Sequence, residues 1–188
     1  MRSISSPPID VTLRTVAAAA AGAADAVCIG VLATQVFLET YATAGIRLSI
    51  AREVLQHLST EAIAAMLSEP ATTFIVAETG GHLVAFVQIT EGAVHARVPA
   101  GHTMELNRLY VQERFAGQGI GGTLLRHAEA LAIARGITTM WLTAWVHNHR
   151  ALDFYAAKGY RDIGDSDYTF EGEHHENRVF VRELSGKP

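Results

Sequence analysis

The period of the apolar positions changes several times along this chain, and each change predicts an element. From Ile9 to Val16 apolar and polar residues alternate as in a strand. Asp25 can begin a helix that runs to about Tyr41, in which Cys28, Leu32 and Val36 recur every four residues and predict one buried face. A second helical region, Ile46 to Leu67, carries Ile50, Val54 and Leu58 at the same spacing. It should break at Ser59-Thr60 and end before Pro70. Thr72 to Glu78 and His82 to Thr90 are β-rich runs joined by Thr79-Gly80-Gly81, a hairpin signal, and Gly92 to Gly101 reads as a loop. Strict alternation over Thr103 to Val111 puts Glu105, Asn107, Leu109 and Val111 on one side of a strand and Met104, Leu106, Arg108 and Tyr110 on the other. Ile120, Leu124, Ala128 and Leu131 then recur at helical spacing until Gly136 stops them. Ile137 to Val146 is apolar and β-branched enough for a buried strand, and 148–157 reads as a short helix closed by Gly159. A weak strand after Gly159 and a better one at Arg178 to Glu183 complete the chain, which shows no internal repeat and is expected to form one domain over residues 1–188.

Composition narrows the function classes. A chain of 188 residues, 49% of them hydrophobic, can bury the core of a single α/β unit. Fifteen Lys and Arg against nineteen Asp and Glu give a net charge of −4, so no electrostatic footprint for nucleic acid exists, while a cationic acceptor is permitted. Cys28 has no partner for an internal disulfide, which favours a reducing, cytoplasmic setting, and on an Ala-rich helix it reads as a buried small hydrophobe. The stretch Val16 to Val36 is apolar enough to raise a membrane span or signal segment. Asp25 and Gln35 interrupt it, Asp10 precedes it and basic residues before it are sparse, so a packed amphipathic helix is the expectation and no membrane partner is implied. His147-Asn148-His149 and Glu173-His174-His175-Glu176 do not supply three or four ligands at a known metal spacing; they read as solvated loop residues, and no metal is expected. Trp141 and Trp145, with no basic stripe beside them, read as packing residues.

The chemistry concentrates at residues 114–122, Arg-Phe-Ala-Gly-Gln-Gly-Ile-Gly-Gly, between the strand ending at Val111 and the helix beginning near Ile120. Without Cβ atoms at Gly117, Gly119, Gly121 and Gly122 the backbone can approach an anion, and the first amides of the helix point at it with the dipole behind them. Arg114 adds a full positive charge. An ordinary flexible turn is the competing reading of a glycine cluster, and a P-loop or Rossmann site fits poorly because no Gly-Lys-Ser/Thr ending follows and the glycines do not follow a first strand.

A second segment supplies the missing specificity. Arg-x-x-Gly-x-Gly at 114–119 together with Asn-x-x-Ala-x-x-Phe-Tyr-x-x-x-Gly-Tyr at 148–160 resembles the acetyl-coenzyme A motifs of the GNAT superfamily of N-acetyltransferases. The resemblance is most specific over residues 103–160, and the order of elements extends it to most of the chain. It implies a mixed α/β (α+β) fold: a central, mostly antiparallel sheet of about seven strands flanked by helices, with the fourth and fifth strands splayed apart. It also implies acetyl-CoA as cosubstrate, with its pantetheine arm lying in the splay against the main chain of Leu109, Tyr110 and Val111. Its pyrophosphate would rest on Arg114 and the amides of Gly117, Gln118, Gly119, Ile120, Gly121 and Gly122. Asn148 is implied at the pantetheine, while by local chemistry it is a helix N-cap; both roles are compatible. Dimers are frequent in the superfamily, so a homodimer is among its implications.

The reaction sets further demands. A primary amine with a pKa of ~10.4 is almost wholly protonated near neutrality, so a base or water relay must remove a proton before it attacks a thioester. The tetrahedral intermediate needs an oxyanion donor, which a strand amide near Leu109 can supply, and the departing thiolate needs a proton or hydrogen bond. By the resemblance Tyr155 is the thiol partner. A phenol near ~10 is ~1.5 units too weak to protonate a thiolate near ~8.5, so hydrogen bonding to the sulfur carries more of the role than full transfer. The alternative for Tyr155 is a core tyrosine beside Phe154. Glu105 is the candidate base or relay, with His102 as a rival of better matched pKa and pairing with Arg108 as the structural alternative. The segments Glu105 to Val111, Phe37-Leu-Glu-Thr-Tyr41 and Phe170-Glu-Gly172 are similar to a bacterial spermidine/spermine N-acetyltransferase branch. That similarity implies a small-molecule amine or polyamine acceptor near Glu39 and Tyr41. Other amines (a protein N-terminus, lysine, an amino acid or a drug) and a non-catalytic coenzyme sensor stay open as alternatives.

Overall fold

The two apolar runs flanking Gly80-Gly81 pair as the antiparallel strands β2 (Thr72–Thr79) and β3 (His82–Glu91). The computed structural model describes residues 10–16, 23–170 and 173–184. On one side of this hairpin lies β1 (Thr12–Val16); on the other lie β4 (Thr103–Val111), β5 (Thr139–Trp145), β7 (Glu173–Glu183) and β6 (Arg161–Phe170), giving the order β1-β2-β3-β4-β5-β7-β6. Every neighbouring pair is antiparallel except β4 and β5. The sheet is therefore mixed and mostly antiparallel, with seven strands, as the motif resemblance implied.

Helices cover both faces. On one face α1 (Ala23–Tyr41) and α3 (Thr60–Ser68) bury Ile29, Leu32, Ala33, Ile63 and Leu67 against Phe74, Val76 and Phe86, with α2 (Leu48–His57) beside them. On the opposite face α4 (Ile120–Ala134) sets Ile120, Leu124, Leu125 and Ala128 against Ile75, Val87, Met104 and Met140, and α5 (His149–Ala157) adds Tyr155 to the same core. The predicted break at Ser59-Thr60 is real and has a physical cause: the Ser59 hydroxyl accepts the Ala62 amide at 3.2 Å and caps α3. Helix α1 is long and apolar enough to cross a membrane by composition alone, yet here its buried stripe packs on the sheet, and Asp25 pairs with Arg14 at 2.8 Å. Residues 17–22 of the apolar stretch lie outside the described residues.

Three expectations need correction. Cys28 is exposed rather than buried, because steps of four residues overshoot the 3.6-residue turn by ~40° each and carry Cys28 round the helix from Val36. The buried stripe instead follows Ala26, Ile29, Leu32 and Ala33. The two last strands are much longer than their sequence signals, since they pair with each other from Arg161↔Val181 to Phe170↔Glu173 and a ladder sustains segments that alternation alone would not. Most consequential is β4, where strict alternation fails. Glu105 faces Thr90, Leu106 faces Ile89 and Arg108 faces Gln88, which leaves Asn107 as an extra residue, a β-bulge. Met104, Leu106, Leu109 and Val111 thus share the α4 face, while Glu105, Arg108 and Tyr110 turn to the other.

Candidate active site

Strands β4 and β5 are paired only at Thr103↔Thr139, Met104↔Met140 and Glu105↔Trp141. Beyond the bulge they part. The Gln112 amide donates to Val84 of β3 at 3.0 Å, and main-chain groups of an antiparallel strand alternate in direction. Tyr110 therefore directs its amide and carbonyl to β3, whereas those of Leu109 and Val111 point into the opening. The two polar groups on each of these residues are left for something that enters the gap. The main chain of Tyr110 is spent on the sheet, so its contribution to the site comes from its side chain.

At the mouth of the opening sits the glycine loop. None of the amides from Gly117 to Gly122 has a backbone acceptor among the described residues. Gly119 holds the N-cap of α4 at φ 86°, a left-handed conformation that frees the amides of the first turn to converge. Gln118 folds its side-chain amide back onto the Arg114 carbonyl at 3.0 Å, which leaves its own N–H in the cradle. Arg114 lies 5.1 Å over the Phe115 ring, exposed at the loop's edge. Two further cations were not singled out from sequence. Arg126 donates to Thr123 at 3.0 Å, and Lys158 lies 5.6 Å over Phe154; both come within about a side-chain contact of Gly122, at 3.5 and 3.4 Å from the point where a Cβ would stand. None of these three cations has a carboxylate partner among the described residues. The i, i+4 spacing from Gly122 to Arg126 was a legible signal; Lys158, across α5, was not. Orphan amides at a helix N-terminus ringed by unpaired cations suit a diphosphate, so the residues present fit coenzyme A.

On the α1 face the opening leads into a cavity of about 360 Å³. Helix α1 contributes Phe37 and Tyr41, the α2 region Arg47 and Glu53, β4 Glu105, Asn107, Arg108 and Tyr110, and β5 Thr143 and Trp145. Tyr41 packs between Phe37 at 4.7 Å and Trp145 at 5.4 Å, so Trp145 is a wall of the cavity as well as a packing residue. Burial raises the pKa of Glu105, opposed by a hydrogen bond with Asn107 and by the charge of Arg108. Asn107 is itself fixed by the Thr90 hydroxyl, which donates to its Oδ1 at 2.7 Å. His102, the rival base, is exposed at the paired end of β4 and takes no part in the cavity lining. Glu39 also lies outside: it faces solvent on α1 and accepts from Gln35 at 3.0 Å.

Tyr155 belongs to the opposite layer, 7% exposed and ringed by Phe154, Tyr160 and Phe180 at 5.2, 5.7 and 6.3 Å. Burial pushes its phenol pKa well up, and the next influences are the phenols of Tyr110 and Tyr41, which line the cavity on the other face. A raised pKa makes full proton transfer to a thiolate steeper still, which leaves hydrogen bonding as the role its chemistry suits. Asn148 accepts the Ala151 amide at 3.1 Å and caps α5, the helix that carries Tyr155. His147 is edge-on to Trp145 at 4.9 Å; the side chains of Phe170, Glu173, His174 and His175, and residues Glu171 and Gly172 altogether, lie outside the described residues.

Known proteins place this architecture. The acetyltransferase (GNAT) family model matches residues 40–160. An uncharacterised N-acetyltransferase of Mycobacterium tuberculosis is 31% identical over 136 residues, which span 72% of this chain and 82% of the relative. Thialysine N-epsilon-acetyltransferase of Bos taurus is 32% identical over 91 residues, 46% of this chain and 50% of its own. Among solved structures, the PaiA N-acetyltransferase of Thermoplasma acidophilum in complex with coenzyme A superposes with a TM-score of 0.74 at 20% identity, over 93% of this chain and 99% of its own, a likeness of fold. The chain belongs to the acetyltransferase (GNAT) family and is an N-acetyltransferase whose acetyl donor is acetyl-CoA.

Proposed function

We propose that the enzyme transfers the acetyl group to the primary amine of a small molecule held in the 360 Å³ cavity, by direct attack within a ternary complex. The observation that carries this reading is the opening between β4 and β5, which that cavity reaches from the α1 face and into which the unpaired main-chain groups of Leu109 point. Pantetheine would lie along Leu109 and Val111, satisfying their free main-chain groups, with Tyr110 flanking through its ring; Arg114 and the loop amides 117–122, helped by Arg126 and Lys158, hold the diphosphate. The Leu109 amide stabilises the oxyanion of the tetrahedral intermediate, and Tyr155 hydrogen-bonds the departing sulfur. Glu105, directly or through water, receives the proton that the acceptor ammonium must shed; its raised pKa brings it closer to the working pH of a base. Asn148 fixes the start of α5 and thereby the position of Tyr155.

A small amine rather than a protein chain fits an aromatic-walled cavity, and the resemblance of residues 37–41 and 105–111 to the spermidine/spermine branch points the same way. So does the name of the bovine relative, which acts on thialysine. A free, exposed Cys28 fits the cytosol as the working compartment. Purified chain, acetyl-CoA and a panel of small amines, with free thiol as the readout, test the reading. Thiol release that depends on the amine supports it; tight coenzyme binding with no release on any amine would leave only a sensor.

A further inference from the structure

We infer that the acceptor carries a carboxylate several bonds from the amine that is acetylated, and that Arg108 is the residue that binds it. This deepens the small-amine reading above and rests on it. Four charged side chains line the cavity, Arg47, Glu53, Glu105 and Arg108, two of each sign, so a polycation meets no excess of negative charge there. Arg108 is half-buried and carefully held. Its Nη1 donates to the Gln88 side-chain carbonyl and approaches the Met66 sulfur at 3.7 Å, and Gln88, only 4% exposed, is anchored by its own Nε2 to the same sulfur at 3.6 Å. No carboxylate lies within ion-pairing distance of Arg108 among the described residues. A guanidinium has five donors in a fixed fork, and one kept half-buried on neutral partners retains its unmatched charge for an anion.

The spacing selects among anionic amines. Glu105 and Arg108 sit opposite Thr90 and Gln88, two ladder positions apart on the same face of β4, so their backbones are ~7 Å apart along the strand. An extended aliphatic chain advances ~1.25 Å per bond, so amine and carboxylate belong about four to six bonds apart. That is the separation in a side-chain amine of an amino acid and not in a simple α-amino acid such as glycine. Glu53 completes the match. Its carboxylate belongs to the α2 wall of the cavity, with Oε2 buried, without a hydrogen bond and 4.0 Å from His57 Nε2, and so offers a second negative charge to an ammonium. Two carboxylates and one unpaired guanidinium are the complement of a diamine bearing one carboxylate.

Matched acceptor pairs test this, because lysine is 1,5-diaminopentane with a carboxylate added and ornithine stands in the same relation to 1,4-diaminobutane. With the full chain and saturating acetyl-CoA, kcat/KM from thiol release should favour the carboxylated member of a pair at least tenfold. Arg108→Gln should reduce that ratio at least tenfold, mainly through KM, while Arg108→Lys retains part of it. Should Arg108→Gln not fold, Gln88→Glu, which sets a carboxylate beside Arg108, is expected to reduce the ratio likewise. Diamines used as well as their carboxylated partners, or a ratio unchanged in the variants, would overturn the inference and leave the small-amine reading standing. Thiol release with no member of either pair, but with another small amine, would also overturn it; release with no amine at all removes both.

Discussion

Two glycines at opposite ends of α4 separate what the glycine loop does for folding from what it does for the coenzyme. Gly119 at the N-cap and Gly136 after the C-terminus have φ of 86° and 76°, and a Cβ added to either would meet nothing within 4 Å. Neither alanine variant suffers a clash, so both feel the same penalty: a Cβ in the left-handed region costs roughly 1–2 kcal/mol. For a chain of this size each kcal/mol lowers Tm by ~2–4 °C, so both variants should unfold about 2–8 °C below the wild type when heated without ligand. They should part company when coenzyme A is added. Gly119→Ala distorts the turn that frees the amides of residues 117–122 and is expected to weaken coenzyme binding at least tenfold by calorimetry, whereas Gly136→Ala, ~25 Å away along the helix axis, should bind within about twofold of wild type. Thermal scans provide a second readout, since ligand at a hundred times its Kd adds ~2.7 kcal/mol to stability. Equal coenzyme affinity in the two variants would refute the cradle, and undiminished Tm in either would refute the backbone-strain argument.

Three other perturbations address the remaining parts. Tyr155→Phe, which keeps the ring packing and removes the hydroxyl, should lower kcat about 10²-fold with coenzyme affinity nearly intact, and unchanged turnover would remove Tyr155 from the chemistry. Because burial raises the pKa of Glu105 and its deprotonated form is the working base, the acid limb of the kcat/KM profile should lie above the ordinary carboxylate range; Glu105→Gln should abolish that limb, and a profile matching the wild type would exclude the residue. Arg182 donates to Glu129 at 2.9 Å and to the Lys158 carbonyl at the end of α5, while Tyr160 donates to the same carboxylate at 3.0 Å. With Glu129 buried and Arg182 partly exposed, Arg182→Met should cost ~2 kcal/mol in chemical denaturation, between the values for buried and surface pairs, and a loss below about 0.5 kcal/mol would show that the pair is screened.

What could be read from sequence divides along the sheet. The coenzyme side is contiguous: the loop 114–122 and the Asn148 to Tyr160 segment are short stretches whose spacing is their chemistry, and α4 and α5 form where periodicity and glycine stops place them. The acceptor side is assembled from α1, the α2 region, β4 and β5, and no local spacing joins Tyr41, Glu53, Arg108 and Trp145. Their meeting depends on long-range pairing, which a linear pattern does not encode. The bulge at Asn107 did leave a mark, the shift of phase from Met104 and Leu106 to Leu109 and Val111, but Tyr110 continues the earlier phase and let a strict alternation run through it. The motifs implied that the fourth and fifth strands part; they did not give the residue at which β4 bulges.

That one residue accounts for more than the course of a strand. Were Asn107 paired in the ladder rather than bulged out of it, strict alternation from Glu105 would place Arg108 and Tyr110 in the apolar layer under α4, where a guanidinium would have no water and no partner. With the bulge, both turn to the cavity, and Leu109 and Val111 take their places against the core. A bulge also bends and twists its strand, so the same insertion carries the second half of β4 away from β5 and exposes main-chain groups that only an incoming chain can satisfy. On the proposed reading the two substrates approach from opposite layers, the nucleotide from the α4 side and the amine from the α1 side. They can meet only where the sheet between them is parted, so sheet geometry sets which atoms come within reach. Specificity for the amine and reactivity of the thioester are then placed by a common backbone feature, with Arg108 and Leu109 as adjacent residues facing different tasks.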